Sequence, residues 1–310
     1  MSGDPWSVRQ YRYETDRDQV YRLWREVSRF DASLSLPTRA LFDAQQLPSS
    51  IFRTADWSVA ENEDGVIVGL MAVGRWLDLG TELWIVVNPA WRRRGIGRRL
   101  LGGAPVGERL FVQTVESCVA GPSFLKEAGF HVTHRESVLR KTLHSETMRN
   151  VKGDVLFVAD ESRDSVRYLK ELSKIEDRRI VPQDIDVLCH PRSRIFYCHS
   201  DDTVQGLVVV TECPQVKSVD LNNTGESNIG LIHAIGLRKS ARGKGLSKPL
   251  VRKGLEALHE MQFAKAEVRV PIQRESALKL YKNQGFESVD TRQLWVRADD
   301  EVTGKAQSIP

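Results

Sequence analysis

The chain has 310 residues, of which 41% are hydrophobic and 28% are charged, with a formal net charge of +4 at pH 7. This composition fits an ordinary soluble globular protein with real cores, and the length predicts about two domains. The mild net charge does not by itself indicate nucleic acid as a partner. The longest apolar runs, such as 207–210, are far too short to span a bilayer.

The cysteines and the N-terminal stretch indicate the compartment. The 4 cysteines form no CxxC pair and show no framework spacing, so we expect free thiols in a reducing compartment. The opening stretch MSGDPWSVRQ contains no apolar region of the kind that a signal peptide carries. The sequence therefore predicts a cytoplasmic protein, and its cysteines are Cys118, Cys189, Cys198 and Cys213.

The first half of the chain alternates strand and helix patterns. Weak alternation predicts a strand at 7–14, and Thr15 can cap a helix in which apolar residues recur at helical spacing. A turn-rich segment follows, in which 38–46 could form a helix. A hairpin is predicted at 57–60 and 66–73. Further strands are predicted at 81–87, 110–114 and 138–141, and helices at 98–102 and 123–128.

The same order of elements restarts near Val155. Equivalent residues lie between 137 (206 minus 69) and 156 (286 minus 130) positions apart, as a duplication with loop changes would produce. We therefore predict domains at 1–145 and 154–298, with a linker at 146–153 and a loose tail at 299–310. In the second half, strands are predicted at 195–199, 207–210, 231–237, 266–270 and 294–297, and a helix at 277–284.

One stretch occurs in both halves, at 84–101 and again at 232–251. Each copy reads as an apolar strand, a short loop rich in glycine and basic residues, and the start of a helix. This geometry presents free backbone N–H groups and the positive end of a helix to one spot, which suits a phosphate or pyrophosphate. Glycine is needed there because a Cβ would block the close approach of the backbone to the ligand.

These residues carry a family resemblance. The pattern R-x-x-G-x-G after an apolar strand, at Arg92–Gly97 and with a final Ser at Arg242–Ser247, resembles the acetyl-CoA pyrophosphate loop of the GNAT superfamily of N-acetyltransferases. The stretch ALKLYKNQGF at 277–286 is similar to the family's A-x-x-L-Y-x-x-x-G-F segment. The first half keeps Gly129-Phe130 but has Leu125 where the tyrosine would stand. The chain resembles two GNAT units in tandem, as in mycothiol synthase-like and antibiotic-acetylating members.

The resemblance implies a fold and a donor. Each unit is expected to be α/β (α+β), with a mixed, mostly antiparallel twisted sheet flanked by helices and a splayed central strand at the acyl-CoA site. Acetyl-CoA is the implied acyl donor, and no metal is implied. The residues expected to hold the donor are Val87, Arg92, Arg93, Arg94, Gly95, Ile96 and Gly97 in the first half, and Ile235, Gly236, Leu237, Arg242, Gly243, Lys244, Gly245, Leu246 and Ser247 in the second.

The implied reaction is attack of a neutral amine on a thioester, which needs a base. An alkyl ammonium has a pKa of about 10.4, so deprotonating it near pH 7 costs roughly 4–5 kcal/mol. His233 lies four residues before Leu237, so alternation would place both on one face of the strand. It could take the amine proton, or it could only line the pocket. Glu82, on the corresponding strand of the first half, is the alternative base.

Two further roles are expected near the second loop. Tyr281 is the best candidate acid for the leaving thiolate, as the resemblance implies, and the alternative is that it only packs a helix against the sheet. The resemblance also implies that the oxyanion donor is a backbone N–H group of the strand before the loop, around Ile235–Leu237. Gly236 in this strand fits a bulge or a close backbone approach.

Other kinds of site are disfavoured. The arginines at 92–94 and 98–99 could bind nucleic acid, but little aromatic interleaving accompanies them. Gly95-Ile96-Gly97 is not a dinucleotide fingerprint, because Leu100 occupies the third glycine position, and Gly243-Lys244 lacks P-loop spacing. Two Cys-His pairs could suggest zinc, but neighbours on a strand point to opposite faces, which disfavours shared ligation. These pairs are Cys189-His190 and Cys198-His199.

The sequence predicts an acetyl-CoA-dependent N-acetyltransferase. It is expected to acetylate a primary amine, on a small molecule, by direct attack in a ternary complex, with neither nucleic acid nor membrane as partner. The second half is the expected catalyst because it has Tyr281, and the first half is an expected degenerate partner. Two hypotheses stay open beside it, a non-catalytic acyl-CoA-binding or regulatory protein and a protein Lys or N-terminal acetyltransferase. A monomer or a homodimer is expected.

Overall fold

A computed structural model describes residues 5–30, 56–76, 80–118, 120–144, 156–159, 165–176, 192–200, 203–213 and 229–297. The chain divides into two compact units. Among the described residues, the first unit contains those up to 135 together with 292–297, and the second contains 136–213 and 229–291. The predicted helix at 38–46, the linker at 146–153, the tail at 299–310 and the Cys189-His190 pair lie outside the described residues, so the predicted domain boundaries stay a prediction.

The elements of the first unit are β1 (Trp6–Gln10), α1 (Tyr13–Val27), β2 (Ser58–Asn62), β3 (Ile67–Trp76), β4 (Gly80–Val87), α2 (Ile96–Leu101), β5 (Leu110–Val115) and α3 (Ala120–Glu127), with parts of β6 (His131–Thr142) and β12 (Glu287–Arg297). Its sheet has the strand order β1-β2-β3-β4-β5-β12 and is antiparallel except for the β4–β5 pair. Helix α1 packs on this sheet through apolar residues at helical spacing, all of them buried.

The second unit repeats this plan. Besides parts of β6 and β12, its elements are β7 (Leu156–Ala159), α4 (Ser165–Glu176), β8 (Arg194–Ser200), β9 (Thr203–Glu212), β10 (Ile229–Leu237), α5 (Ser247–Glu260), β11 (Lys265–Pro271) and α6 (Glu275–Lys282). The strand order is β6-β11-β10-β9-β8-β7, in which β10 and β11 are parallel and the other neighbouring strands are antiparallel. Two apolar clusters cover opposite faces of its central strands: α5 and α6 pack on one and α4 on the other. The predicted fold class is confirmed.

The residues of β6 and of β12 are divided between the two units. Residues 292–297 of β12 pair with 110–115 of β5 and so complete the first sheet. Residues 136–142 of β6 pair with 265–271 of β11 and complete the second sheet. Trp295 shows that this pairing builds the core, because it is 7% exposed and belongs to the apolar cluster of the first unit. Each compact unit therefore follows strand pairing and not chain order.

The predicted boundary between the first strand and the first helix is wrong. The sequence predicted a strand at 7–14, but β1 ends at Gln10 and α1 begins at Tyr13. The reason is Asp16, whose carboxylate accepts a hydrogen bond from the Arg12 backbone N–H at 2.8 Å and so ties off the start of the helix. Within the described part of the chain, no helix combines the length and the apolar character that crossing a membrane requires.

Candidate active site

In each unit, two neighbouring parallel strands part before they end. β10 pairs with β11 only from Ile229 to Ile232, although β10 continues to Leu237. In the first unit, β4 pairs with β5 at residues 81 and 82 alone, although β4 continues to Val87. Parting strands leave a gap into which alternate backbone groups of β4 and β10 point. Both units therefore contain the splayed strand expected at an acyl-CoA site.

The central strand of the second unit carries a bulge that the first unit lacks. Ile232 faces Val210 on β9, but Ala234 faces Val209, so His233 is an extra residue on β10. In contrast, β4 keeps one register against β3 along its whole length. A bulge bends its strand and re-aims the neighbouring groups, and bulges are over-represented next to active sites. This difference favours the second unit as the active one.

The bulge is three residues away from its predicted place. The sequence suggested Gly236, but Gly236 pairs regularly with Leu207. The close approach there involves the Gly236 carbonyl oxygen, which lies 2.6 Å from the point where a Cβ on Gly206 would stand. Because Gly206 has no side chain, the Gly236 carbonyl fits beside it, and β10 pairs with β9 at this point without a bulge.

The bulge also changes which side chains share a face of β10. Ile232 and Leu237 are five positions apart (237 minus 232), yet both belong to the cluster beneath α5 and α6. Strict alternation would put residues five apart on opposite faces. The expectation that His233 shares a face with Leu237 assumed alternation through the bulge, so that reasoning does not hold. The side chain of His233 is half-buried at the point where β10 and β11 part.

The loops after β4 and β10 share one backbone conformation. Arg93 and Gly95 have φ of 64° and 82°, and Gly243 and Gly245 both have φ of 78°. Left-handed residues at every second position turn successive N–H groups towards one point, and such nests bind anions. The sequence motif therefore folds in both units into the concave backbone that it predicted.

The second loop is the less strained of the two. Arg93 holds a left-handed conformation that costs a non-glycine residue about 1–2 kcal/mol, whereas the second loop has Gly243 there. In the first unit, Trp6 and Phe124 lie 3.9 and 3.4 Å from the points where a Cβ on Gly95 and on Gly97 would stand. Among the described residues, no atom comes within 4 Å of the points where a Cβ on Gly243 or on Gly245 would stand; Gly245 is the counterpart of Gly95, and the counterpart of Gly97 is Ser247.

The helices after the two loops differ in length. α2 has 6 residues and α5 has 14, so α5 contributes the larger dipole at its N-terminus. Leu246 is the N-cap of α5 and Ser247 its first residue, and the cap makes no side-chain hydrogen bond to the helix. The first N–H groups of α5 are therefore turned towards the loop, where they suit an anionic ligand.

The first arginine of each loop anchors the loop to the end of the preceding strand. Arg92 Nε donates to the Val87 carbonyl at 3.1 Å, and Arg242 Nε donates to the Leu237 carbonyl at 3.3 Å. Arg242 Nη2 also donates to the Ile175 carbonyl at 3.3 Å. Both guanidinium groups hold the loop against the strand that precedes it, so the nest N–H groups are the main contacts offered to a phosphate.

The other predicted loop residues divide into exposed cations and apolar anchors. Arg93, Arg94 and Lys244 are exposed, and the Arg94 guanidinium lies 4.6 Å from the centre of the Trp91 ring. Ile96 is 1% exposed and packs in the core of the first unit. The remaining apolar members are buried or half-buried at the ends of β4 and β10 and at the start of α5: Val87, Ile235, Leu237 and Leu246.

Tyr281 lies on α6 with its side chain in the core. It is 4% exposed, and its ring makes an edge-to-face contact with Phe286 at 5.4 Å between centroids. This ring packing fits the structural role that the sequence left open. The corresponding residue of the first unit, Leu125, is 3% exposed and occupies the core there. The acid role of the Tyr281 phenol stays a prediction.

Glu82, the alternative base, is buried in the first unit. It is 5% exposed and forms the last parallel pair with β5, opposite Phe111. Strand register identifies the counterpart of Glu82 in the second unit. Glu82 faces Gly74 on β3, and Leu231 faces Thr211 on β9. Residues 74 and 211 are 137 positions apart, the same offset as between the equivalent residues 69 and 206, so Leu231 is the counterpart of Glu82.

Sequence reasoning missed two ionic groups in the second unit. Glu171 of α4 accepts hydrogen bonds from Arg238, just after β10, and from Lys174. On the sheet, Glu267 is 1% exposed and accepts from Arg140 Nε at 2.9 Å and Arg269 Nε at 3.1 Å. No sequence signal could have found these pairs, because the partners from different elements are 67 and 127 positions apart.

Metal-type chemistry has no candidate cluster among the described residues, where no three His, Cys, Asp or Glu side chains come together. Cys198 and His199 are neighbours on β8, and the register of β8 against β9 shifts between them. Burial raises the pKa of the Cys198 thiol, which disfavours the thiolate that zinc would need.

Comparisons with known proteins agree with this geometry. Residues 160–286 match the model of the acetyltransferase (GNAT) family, and residues 53–132 match that of an acetyltransferase (GNAT) domain. A mycothiol acetyltransferase of Corynebacterium aurimucosum is 30% identical over 70 residues, which is 23% of this chain and 23% of that protein. The curated relative is therefore matched over about a quarter of its length.

Solved structures show the same fold along almost the whole chain. A tandem GNAT protein from the clavulanic acid biosynthesis pathway has a TM-score of 0.71 at 17% identity, with 94% of this chain and 98% of that chain covered. A GCN5-related N-acetyltransferase from Sphaerobacter thermophilus has a TM-score of 0.65 at 13% identity, with 96% of each chain covered. With two matching family regions, two splayed sheets and two nest-forming loops, the chain belongs to the GNAT acetyltransferase family, as a tandem of two GNAT domains.

Proposed function

We propose that the second unit transfers the acetyl group of acetyl-CoA to the primary amine of a small molecule, by direct attack in a ternary complex. One observation carries this assignment: the bulge at His233 and the nest with glycine at both left-handed positions, Gly243 and Gly245, occur together on β10 and its loop. The first unit keeps the nest, with Arg93 at one of these positions, but β4 has no bulge against β3. We propose that it is a degenerate partner with a structural role.

The residues of the second loop fit the donor. The nest of N–H groups and the start of α5 form a cradle that a Cβ at Gly243 or Gly245 would fill, and Lys244 adds an exposed positive charge. A pyrophosphate suits such a cradle because it carries negative charge on oxygens that accept several N–H bonds. The same donor would supply a thioester, the activated acyl group that the reaction consumes.

His233 is proposed as the group that takes the amine proton. It is half-buried and is the first residue of β10 beyond the last pair with β11, so it lies next to the gap that a ligand would enter. Neutral imidazole is a suitable acceptor near pH 7, at which an alkyl amine is otherwise held as its ammonium. After attack, the proton resides on His233, the new bond is the amide, and the bond to sulfur is broken.

Two further contributions complete the proposal. Alternate residues of β10 between Ala234 and Leu237 direct backbone N–H groups into the gap, where one could stabilise the oxyanion. The Tyr281 phenol is proposed to return a proton to the departing sulfur. Because a thiol has a pKa of about 8.5, the thiolate leaves readily and this acid is helpful without being essential.

The names of related proteins support a small-molecule acceptor. Mycothiol acetyltransferase and the tandem GNAT protein of clavulanic acid biosynthesis are both named after small molecules or their synthesis. Another similar structure is described as a glucosamine N-acetyltransferase region, with a TM-score of 0.68 at 14% identity. These names leave the particular amine open, so the acceptor proposed here is a chemical class.

Calorimetric titration of acetyl-CoA into the purified protein tests the proposal. We expect one strong site that Gly245→Glu abolishes, because a carboxylate would stand in the anion cradle, and that the matched variant Gly95→Glu leaves intact. The opposite dependence would move the search for the catalyst to the first unit and Glu82. Tight binding without turnover on any amine of a broad panel would favour a non-catalytic acyl-CoA-binding protein.

A further inference from the structure

Helix α4 is tied to the end of β10 by an ion pair. The Arg238 guanidinium donates to the Glu171 carboxylate, and their side chains are 29% and 11% exposed. Lys174 Nζ donates to the same carboxylate at 3.0 Å. Burial alone would raise the pKa of Glu171, but the hydrogen bonds and charges of Arg238 and Lys174 outweigh it and hold that pKa below its usual value. The pair is therefore charged and half-buried at neutral pH.

A second contact joins the same helix to the nest loop. Arg242 Nη2 donates to the carbonyl of Ile175, in the last turn of α4, while its Nε donates to the carbonyl of Leu237 at the end of β10. Carbonyl groups of a last helical turn have no partner within the helix, and a cation there is favoured by the helix dipole. One guanidinium thus bridges the strand end and the helix end, from the first position of the loop.

Helix α4 also covers the bulged part of β10. Its residues Tyr168, Leu172 and Ile175 belong to one buried cluster with Ala234, the residue that follows the bulge. This cluster lies on the face of the sheet opposite to α5 and α6. A shift of α4 would therefore change the environment of Ala234 directly, although α4 contributes no residue to the loop itself.

The first unit lacks this arrangement at the corresponding positions. Arg92 staples its loop to Val87, as Arg242 does to Leu237. At the position of Arg238, however, the first unit has Asn88, whose side-chain oxygen accepts the Ala90 N–H at 3.0 Å and so caps its own turn. Among the described residues, the contacts of the loop arginines with a helix are thus found in the second unit, which also has the bulge in its central strand.

We propose that Arg238 and Arg242 are positioning residues that couple occupancy of the 242–247 loop to the placement of α4 on the bulged segment of β10. This inference rests on the proposed function, because it requires the CoA group to bind at that loop. A phosphate group drawn into the nest fixes the loop backbone, and with it the two guanidinium groups that grip Glu171 and the carbonyl of Ile175. α4 is then held more firmly against Ala234, where the acetyl group must be received.

Hydrogen-exchange mass spectrometry of the full chain, with and without coenzyme A, tests the coupling. We expect coenzyme A to slow amide exchange in 165–176 by about fivefold or more, a coupling at the low end of typical values. In Arg238→Met and in Glu171→Gln, which break the ion pair from either side, that protection of α4 should vanish. By reciprocity, coenzyme A affinity should fall by up to the same factor, and binding itself should persist.

Matched variants separate the bridge from general loosening. Lys174→Met removes a partner of Glu171 within the helix and should keep the full response of α4. The double variant Arg238→Glu with Glu171→Arg should restore it. Coenzyme A binding in the wild type without any change in α4 exchange, or full protection in Arg238→Met, would overturn the coupling and leave the proposed function standing. Failure of the wild type to bind coenzyme A would contradict both.

Discussion

Substitution of Tyr281 by phenylalanine separates the two roles that this residue could have. The ring is 4% exposed and contacts Phe286 edge-to-face at 5.4 Å, and both features are retained by phenylalanine. Only the hydroxyl is lost, and a single hydrogen bond contributes about 0.5–1.5 kcal/mol to stability. If the phenol protonates the leaving sulfur, the rate should fall about 10²-fold, the lower end for a general acid, or roughly 2.7 kcal/mol of barrier.

The assay follows release of free thiol from acetyl-CoA, with the best acceptor from a panel of primary amines. Thermal unfolding of the same samples measures the stability cost. Tyr197→Phe is the matched control, because Tyr197 is fully buried in the same unit and the same hydroxyl is removed. An undiminished rate in Tyr281→Phe, with a stability like that of the control, would refute the acid role and leave only packing.

Three further predictions concern the first unit. Trp295→Ala should lower the free energy of unfolding of that unit by about 3–5 kcal/mol, as truncations of buried tryptophan do. An alkylating reagent should then label the buried thiol of Cys118 faster, and an unchanged labelling rate would contradict a core role for the end of β12. Arg93→Gly should raise the free energy of unfolding by about 0.5–1 kcal/mol, because relief of left-handed strain exceeds the extra backbone entropy of glycine; denaturant unfolding measures it, and a loss would mean that φ is not strained. Burial raises the pKa of Asp16, but hydrogen bonds from Arg9, the Arg12 N–H and Thr15 outweigh it and lower that pKa. The stability that ionised Asp16 contributes is therefore present above about pH 4 and is lost as the pH falls further. Acid unfolding of Asp16→Asn should lack this loss, and identical acid unfolding curves for the variant and the wild type would rule out the linkage.

The repeated local motifs were readable from the sequence. The strand, loop and helix order at 84–101 and 232–251 depends on glycine positions and apolar periodicity within a short window, and the structure forms both as expected. The parting of the parallel strands followed from the family resemblance. Most predicted strands are found, with ends shifted by a few residues, because the last hydrogen bonds of a strand depend on its neighbours.

Local sequence patterns could not predict the bulge in β10, nor that the C-terminal end of β12 completes the first sheet. A bulge is a mismatch between two strands, so its place at His233 depends on the β9 residues opposite and not on the β10 sequence alone. The pairing of 292–297 with 110–115 joins segments almost two hundred positions apart, and local patterns carry no information about such partners. The same limit hid the Arg238–Glu171 pair, since charged residues of both signs are common along the chain.

The pairing of the end of β12 with β5 has a consequence for synthesis on the ribosome. Domains usually fold as units in the order in which they emerge, the N-terminal one first. Here the strand that completes the first sheet lies at 292–297, so it leaves the exit tunnel only after all the described residues of the second unit have been made. Until then, the nascent chain exposes the β5 edge, with unpaired backbone groups that can recruit other chains. Premature termination anywhere before Arg292 should therefore yield aggregation-prone fragments instead of a free-standing N-terminal domain.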